Sequence, residues 1–411
     1  MANFTNSEVL VPPWGAPMKF LVLHHTLNSA GGGERVSLAI IEALKELGGK
    51  VDLATVEKTD WRRVRRAFGD VSLPDKEMSI LPLRLRLFGI YQRSLTGFYA
   101  YKYRKDYDLI INSHGDVMPA LCDVTYMHFP TFTLLKQKPE VFVKYRKNLF
   151  WRIYFTPYEF IQAKLVRRYI ENSLILTNSL FSKSVIKRWT GREAKVVYPP
   201  VEVKKFLFAG GKRENIVVTC SRFTPEKNLE LIPEVASKVP KAKFYVFGST
   251  SKTSWEVLYK VRKKAKELKA VNVRLKPNAP LSEMLSIYRK AKAYLHAMVG
   301  EHFGLSVVEA IASGLVPIVH KSGGPYLDIL NEKQGVYGFY YEDADEAASH
   351  VNSLIENEEE ASEIRGRAIE RSLRFNKKSF KSSFVEAIKE LIGLRAGAST
   401  PFQAYKAMKP H

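Results

Sequence analysis

The stretch KFLVLHHTLNSAGGGERVSLAIIEALKELGGKVDLATV, residues 19–56, decides the fold. It opens on a short apolar run, KFLVLH (19–24), and crosses a glycine-rich turn. Apolar residues then recur at helical spacing through Val36, Leu38, Ala39, Ile40, Ala43, Leu44 and Leu47. Gly48 and Gly49 stop that helix, and KVDLATV begins a new strand. Strand, turn, helix and strand in this order make a βαβ unit and predict a parallel sheet.

The same grammar continues along the chain. Strand-like runs follow at DLIINSH (108–114), DVTYMH (123–128), LILTNS (174–179) and AKVVYPP (194–200). The pattern restarts at NIVVTCSRF (215–223), with a helix expected from Asn228 and a strand at KFYVFGS (243–249). A basic helix near 254–269, NVRLKP (272–277), a helix from Ser282, AYLHA (293–297), a helix over 306–313 and LVPIVH (315–320) complete it. Between the halves lies YPPVEVKKFLFAGGKREN, a connector bearing proline, glycine and lysine. The reading is two doubly wound α/β domains, 1–205 and 206–375, followed by a C-terminal segment, 376–411. That segment holds a helix packing back on the first domain and a tail over 396–411. On such folds ligands bind beyond the carboxyl ends of the strands. The unusual segments Gly31–Glu34, Tyr126–Pro130, Ser221–Asn228 and Gly300–Ser306 all fall there.

Composition narrows the class. The 411 residues fit two or three domains, and 45% hydrophobic with 12% aromatic residues supplies large cores. Two cysteines, Cys122 and Cys220, provide neither a disulfide framework nor paired zinc ligands. The first residues show no basic n-region before an apolar run, so no signal peptide is expected. No apolar run reaches the roughly 18–20 residues of a membrane span, which leads us to expect a soluble or peripheral protein. The net charge of +22 calls for an anionic partner: nucleic acid, membrane or phosphate-rich ligand. Residues 80–170 hold 15 Lys/Arg against 6 Asp/Glu, a local +9, interleaved with aromatics.

Two short segments carry chemistry. In EHFGLSVVEAIASGLVPIV (301–319), Glu301 sits on a loop and Glu309 about two turns into a small-residue, apolar helix. A carboxylate in such a helix needs a partner, and the helix N-terminus offers N–H groups to hydroxyl or phosphate oxygens. Two acids so placed can grip neighbouring polyol fragments. The same spacing also fits a solvated Glu301 and a Glu309 paired with a nearby cation. In SRFTPEKN (221–228), Arg222 follows a strand and Lys227 stands at a helix start. Two cations beside a helix N-terminus suit a diphosphate clamp, and the same residues also fit two exposed cations in a loop; both are expected at the site surface.

Together these segments resemble the retaining GT-B glycosyltransferases of family 4. GGGERV, YMHFPT, LTNS and VVYPPVEV fall where that family has its landmarks. GGGERV, YMHFPT, EHFGLSVVEA and GGPYLDIL are most similar to its GDP-mannose-dependent α-1,2-mannosyltransferases of dolichol-linked oligosaccharide assembly. The resemblance implies a GT-B fold: two Rossmann-like doubly wound α/β domains facing a central cleft. It implies that Glu301 binds donor-sugar hydroxyls, that Glu309 holds the ribose, and that Arg222 and Lys227 stabilise the departing diphosphate. Backbone groups of Phe303, Gly304, Leu305 and Ser306 would seat the donor. Gly32 and Gly33 would let the first loop approach donor and acceptor, and His128 would lie near the anomeric carbon. Read from its residues alone, a histidine in YMHFP is as readily a packed core residue.

No metal or other cofactor is expected beside the GDP- or UDP-linked sugar. The D-x-D matches Asp106–Asp108 and Asp343–Asp345 read as a strand entrance and an acidic surface segment. The glycines of GGGERV lack the G-x-G-x-x-G spacing of a dinucleotide fingerprint. The stretch FVKYRKNLFWRIYFTPYEFIQAKLVRRYIEN (142–172) alternates cations with large apolar side chains. It suits an anionic membrane surface, and equally helices with aromatic cores and solvated outer faces. The expectation is a hexosyltransferase, acting with mannose on a lipid-linked glycan and peripheral on the cytoplasmic face of a membrane. A family-4 enzyme with a soluble acceptor is the alternative. A basic nucleic-acid-binding protein is the non-enzymatic one, but no nucleic-acid-binding motif is present, so nucleic acid is not an expected partner.

Overall fold

The computed structural model describes residues 17–29, 31–81, 89–115, 120–130, 153, 155–158, 160, 166, 168–208, 211–251 and 254–396. Most of the basic aromatic stretch 142–172 and the end of the tail, 397–411, lie outside the described residues. The chain divides into two units: 1–178, 182–200 and 377–411 in the first, 179–181 and 201–376 in the second. The boundary falls at Pro200/Val201, before the expected 205/206. Val201 bridges to Asn376 in parallel, and its N–H bonds the Phe375 carbonyl at 2.9 Å, which ties the connector into the second unit.

The first unit is built on seven parallel strands: β1 (Lys19–Leu23), β2 (Lys50–Glu57), β3 (Lys76–Leu81), β4 (Leu109–Asn112), β5 (Val124–Met127), β6 (Leu174–Thr177) and β7 (Lys195–Val196). Their order is β3-β2-β1-β4-β5-β6-β7. Phe20 to Leu23 of β1 are all buried, as expected of a strand covered on both faces. β7 is cut to two residues because Pro199 and Pro200 follow closely and prolines cannot donate to the ladder. Helix α1 (Gly32–Glu46) buries Val36, Leu38, Ala39, Ile40, Ala43 and Leu44 of the apolar stripe read from the sequence, and Ile41 beside them. Two further helices, α2 (Trp61–Phe68) and α3 (Thr96–Lys102), follow β2 and β3, and α4 (Leu180–Thr190) follows β6.

The second unit repeats the plan with six strands: β8 (Glu214–Cys220), β9 (Lys243–Gly248), β10 (Val273–Pro277), β11 (Ala291–His296), β12 (Val316–His320) and β13 (Phe339–Tyr341). Their order is β10-β9-β8-β11-β12-β13, again all parallel. Its helices are α5 (Leu231–Lys238), α6 (Ser254–Glu267), α7 (Leu281–Tyr288), α8 (Leu305–Ala312), α9 (Ala344–Glu356) and α10 (Glu358–Ser372). α5 does not begin at Asn228 as expected. A 3-10 turn occupies Pro225–Lys227, and Asn228 closes it in the left-handed conformation at φ 50°.

The last helix, α11 (Lys377–Ala396), belongs to the first unit and packs on α1. Phe380, Phe384, Ala387, Ile388 and Leu391 join the core formed by Ile40, Leu44 and the strands. Burying side chains of the Phe or Leu class stabilises by about 1.5–3 kcal/mol each. Lys381 adds ion pairs to Glu42 (2.8 Å) and Glu46 (2.5 Å). Among the described residues, no helix is long and apolar enough to cross a membrane.

In each sheet the strand order reverses once, between β1 and β4 and between β8 and β11. The segments leaving the carboxyl ends at these two reversals are where open α/β sheets bind ligands.

Candidate functional site

In the second unit, the turn after β8 and the loop after β11 meet at the reversal. Lys227 Nζ lies 2.5 Å from Glu301 Oε2 and 3.0 Å from Met298 Sδ. His296, the last residue of β11, brings its Nε2 to 3.5 Å from the same Glu301 oxygen. The Glu301 and Lys227 side chains are 14% and 13% exposed, so this is a largely desolvated pair. Burial alone would raise the Glu301 pKa. The His296 ring beside it, the Lys227 charge and His302 outweigh that and hold the carboxyl well below its usual range. Asn228 Nδ2 donates to the Ala297 carbonyl at 3.3 Å and fastens the Lys227 turn to the end of β11.

Arg222 takes a different place. Its guanidinium is 66% exposed and sits 3.5 Å from Glu226 on the same turn. The expectation that both cations lie at the surface therefore holds for Arg222 and not for Lys227. The reason is the ion pair: Glu301 draws the lysine inward, whereas Arg222 meets only a neighbour along the chain.

The Glu301 loop is held from behind. Gly304 caps α8 at φ 93°, and a Cβ there would stand 2.9 Å from Pro325 Cγ. Gly323 and Gly324 lie so close to the loop backbone that a Cβ would reach the Glu301 and His302 carbonyls at 2.3 and 2.4 Å. Ser322 Oγ accepts from Gly300 N at 2.9 Å, and Gly324 N donates to the Glu301 carbonyl at 2.8 Å. GGPYLDIL thus shapes the loop that carries Glu301.

Phe303 turns its ring into the core, edge-on to Phe375 with centroids 5.4 Å apart, which leaves its backbone as the group available to a ligand. Leu305 and Ser306 open α8, and the Gly304 cap has no side chain to cover the first N–H groups. Tyr294 OH joins Ser306 Oγ (2.8 Å) to the Cys220 carbonyl (2.9 Å). Glu309 is half-buried beside this network, and its charge acts on Cys220, Tyr288 and Tyr294. Burial, with Glu309 second, pushes the Cys220 thiol up to about 12.

The first unit gathers its own cluster at the β1/β4 reversal. His24 and His25 leave β1, His114 follows β4, and His128 follows β5. Ring centroids of His24–His25, His24–His114, His25–His114 and His114–His128 are 5.1, 5.1, 4.7 and 5.2 Å apart. Ser113 Oγ lies 2.8 Å from both His24 Nδ1 and the Leu23 carbonyl. Its single proton serves the carbonyl, so His24 Nδ1 donates to Ser113. His24 Nε2 then faces Glu34 Oε1 at 3.8 Å. Burial would raise the Glu34 pKa, but His24 beside it, its own backbone and His25 bring it down to about 2.

Glu34 Oε2 also accepts from Gly31 N at 2.8 Å. This contact closes the first turn of α1, so Gly32 and Gly33 are helical rather than part of the expected loop. A Cβ on Gly33 would stand 3.4 Å from His128 Nε2 and 3.5 Å from His114 Cε1. His128 is half-buried against Tyr126 (centroids 5.0 Å), with its ring at the α1 N-terminus.

Sequence reasoning missed His24, His25, His114, Glu34 and His296. Ligand atoms of His24, His25 and His114 lie within 4.8 Å of one another, a spacing able to hold a metal ion where none was expected. Three of the four D-x-D aspartates have structural partners. Asp108 accepts from Lys19 N at 2.8 Å, Asp343 caps α9, and Asp345 pairs with Lys238.

Residues 203–371 match the family described as glycosyl transferases group 1. Over 243 residues the chain is 26% identical to the Dictyostelium discoideum protein named GDP-Man:Man(3)GlcNAc(2)-PP-Dol alpha-1,2-mannosyltransferase, covering 54% of this chain and 48% of that one. The Homo sapiens protein of the same name is 27% identical over 240 residues, 54% of this chain and 49% of its own. The chain spans about half the length of these curated relatives. Among solved structures, sucrose-phosphate synthase of Thermosynechococcus elongatus aligns with TM-score 0.69 at 15% identity, over 92% of this chain and 99% of that one. Anabaena HepE in complex with UDP aligns with TM-score 0.68 at 17% identity, over 91% and 100%. The two parallel-sheet α/β units are of the GT-B type.

Proposed function

We propose that this chain, whose residues 203–371 form a glycosyl transferases group 1 domain, is a retaining hexosyltransferase. It moves mannose from a nucleotide sugar to a lipid-linked glycan. The observation that carries this reading is the Lys227–Glu301–His296 cluster at the carboxyl ends of β8 and β11. An anionic carboxylate held against a lysine is suited to a ligand that brings both hydroxyls and phosphate. Sugar hydroxyls donate to Glu301, and the diphosphate takes the Lys227 ammonium as its counter-charge.

As the glycosidic bond to phosphate breaks, negative charge grows on the leaving oxygen. Lys227, the exposed Arg222 and the uncapped start of α8 supply positive potential aimed at it, an effect that gives several kcal/mol in a preorganised site. The sugar becomes oxocarbenium-like, and the Glu301 carboxylate fixes its pose. In front-face attack the departing phosphate takes the acceptor proton, so no protein nucleophile is assigned. Glu309 holds the ribose. No metal is given a role, because fixed cations meet the diphosphate charge.

The names of the Dictyostelium and human relatives support GDP-mannose as donor and a dolichol-diphosphate glycan as acceptor. Such an acceptor supports a location on the cytoplasmic face of a membrane. Thermal shift with a panel of nucleotide sugars tests the donor: GDP-mannose at 100 times its dissociation constant stabilises by roughly 2.7 kcal/mol. A response to no nucleotide sugar sinks the proposal. A response to UDP-sugars alone retains the transferase and removes mannose.

A further inference from the structure

The outer face of α6 carries an arrangement that sugar transfer does not use. Ser254, Val257 and Val261 are buried, and Leu258 and Ala265 pack against the same core. At about 100° per residue, Trp255, Tyr259, Arg262 and Lys266 align on one stripe, roughly 110° round the helix from the buried face. A helix packed on a sheet ordinarily carries polar residues outside its buried stripe. Here Trp255 is 65% exposed and Tyr259 60%. Beyond the helix end, Leu268 and Val271 are also exposed, at 40% and 82%.

The charge around these side chains is mainly positive. Residues 254–274 hold seven Lys/Arg against two acids, Glu256 and Glu267, a net +5. Lys264 pairs with Glu234 and Lys263 with Glu267. Among the described residues, Arg262 and Lys266 make no ion pair, so the stripe offers them with the two aromatics.

We propose that this face of α6 docks on an anionic lipid membrane. Trp and Tyr have apolar rings with a polar edge and settle at headgroup depth. Arg and Lys on the same stripe reach lipid phosphates, while Leu268 and Val271 gain from leaving water. Nucleic acid would satisfy the cations and leave those two aliphatic side chains in solvent, which favours the membrane. The proposal does not rest on the transferase reading.

The test is co-sedimentation of the whole chain with vesicles of phosphatidylcholine, alone or with one third phosphatidylserine. Wild type is expected to bind the anionic vesicles, less so as salt rises. Arg262→Glu with Lys266→Glu lowers the partition coefficient by roughly tenfold or more. Trp255→Ala with Tyr259→Ala also lowers it and keeps the salt dependence. Thermal melting checks that both variants fold. Binding equal to wild type in both folded variants overturns the proposal, as does indifference of the wild type to anionic vesicles. A mobility shift with RNA that these substitutions abolish, without vesicle binding, makes this a nucleic-acid surface instead.

Discussion

Lys227 and Glu301, 74 residues apart in sequence, meet at 2.5 Å, and the carboxylate oxygen that accepts the ammonium also faces His296 at 3.5 Å. Because the pair is largely desolvated, each charge depends on the other. Removing Lys227 strands the Glu301 charge, at a cost of about 3–5 kcal/mol for a buried pair. Lys227→Ala is therefore expected to lose stability as well as activity. The double variant Lys227→Ala with Glu301→Gln should recover most of the stability and none of the turnover. Urea unfolding beside activity checks this. Full stability in Lys227→Ala would show that the pair is weak.

Arg222 should behave in the opposite way. It is exposed and meets only Glu226, so Arg222→Ala is expected to leave stability within about 0.5 kcal/mol. If it opposes the leaving-group charge, turnover falls by about 100-fold. Unchanged turnover removes it from the mechanism.

The two glutamates should fail differently. Glu309→Gln is expected to weaken nucleoside diphosphate and full donor alike, by about 1.5–3 kcal/mol for a charge-assisted hydrogen bond. Glu301→Gln should keep nucleoside diphosphate affinity and lose turnover, since the sugar is no longer held in its reactive pose. Calorimetric titration of both variants, with parallel turnover assays, separates the roles. Wild-type behaviour in both would make them ordinary structural acids.

Chelation addresses the imidazoles of the first unit. Activity is expected to persist in EDTA if, as proposed, fixed cations meet the diphosphate. Loss on chelation, restored by a divalent ion and abolished by His25→Ala, would assign a metal to His24, His25 and His114.

Acid stability should report on Glu34. Its folded pKa, about 2, lies below the unfolded value near 4.5, so its contribution is complete above pH 4.5. That contribution, on the order of 3 kcal/mol, is lost as pH falls from 4.5 towards 2. Glu34→Gln should flatten this part of the stability curve. An unchanged slope would mean the carboxyl is not held down by its histidine neighbours.

The fold was legible where each strand is a continuous apolar run and each helix a clean stripe, as in 19–56 and 293–320. β3 and β13 escaped notice because Lys76–Leu81 is only half-buried and Phe339–Tyr341 is three residues long. Lys227 and Glu301 were legible as types in motifs, but their contact was not, since it depends on the register of β8 and β11. His296 looked like the end of a core strand. His24, His25 and His114 come together only when β4 returns beside β1, and no local spacing encodes that. The inward turn of Phe303 likewise follows from Phe375, which a remote helix end delivers.

The central claim, transfer of mannose to a lipid-linked glycan, is tested most directly by the mass of the acceptor. The whole chain is incubated with GDP-mannose and a polyprenyl-diphosphate-linked mannosyl glycan, and the lipid-linked product is analysed by mass spectrometry. The account predicts a glycan heavier by one hexose, joined by an α linkage that keeps the donor's configuration, and no such product with Glu301→Gln. An acceptor of unchanged mass, from protein that binds GDP-mannose, would contradict it.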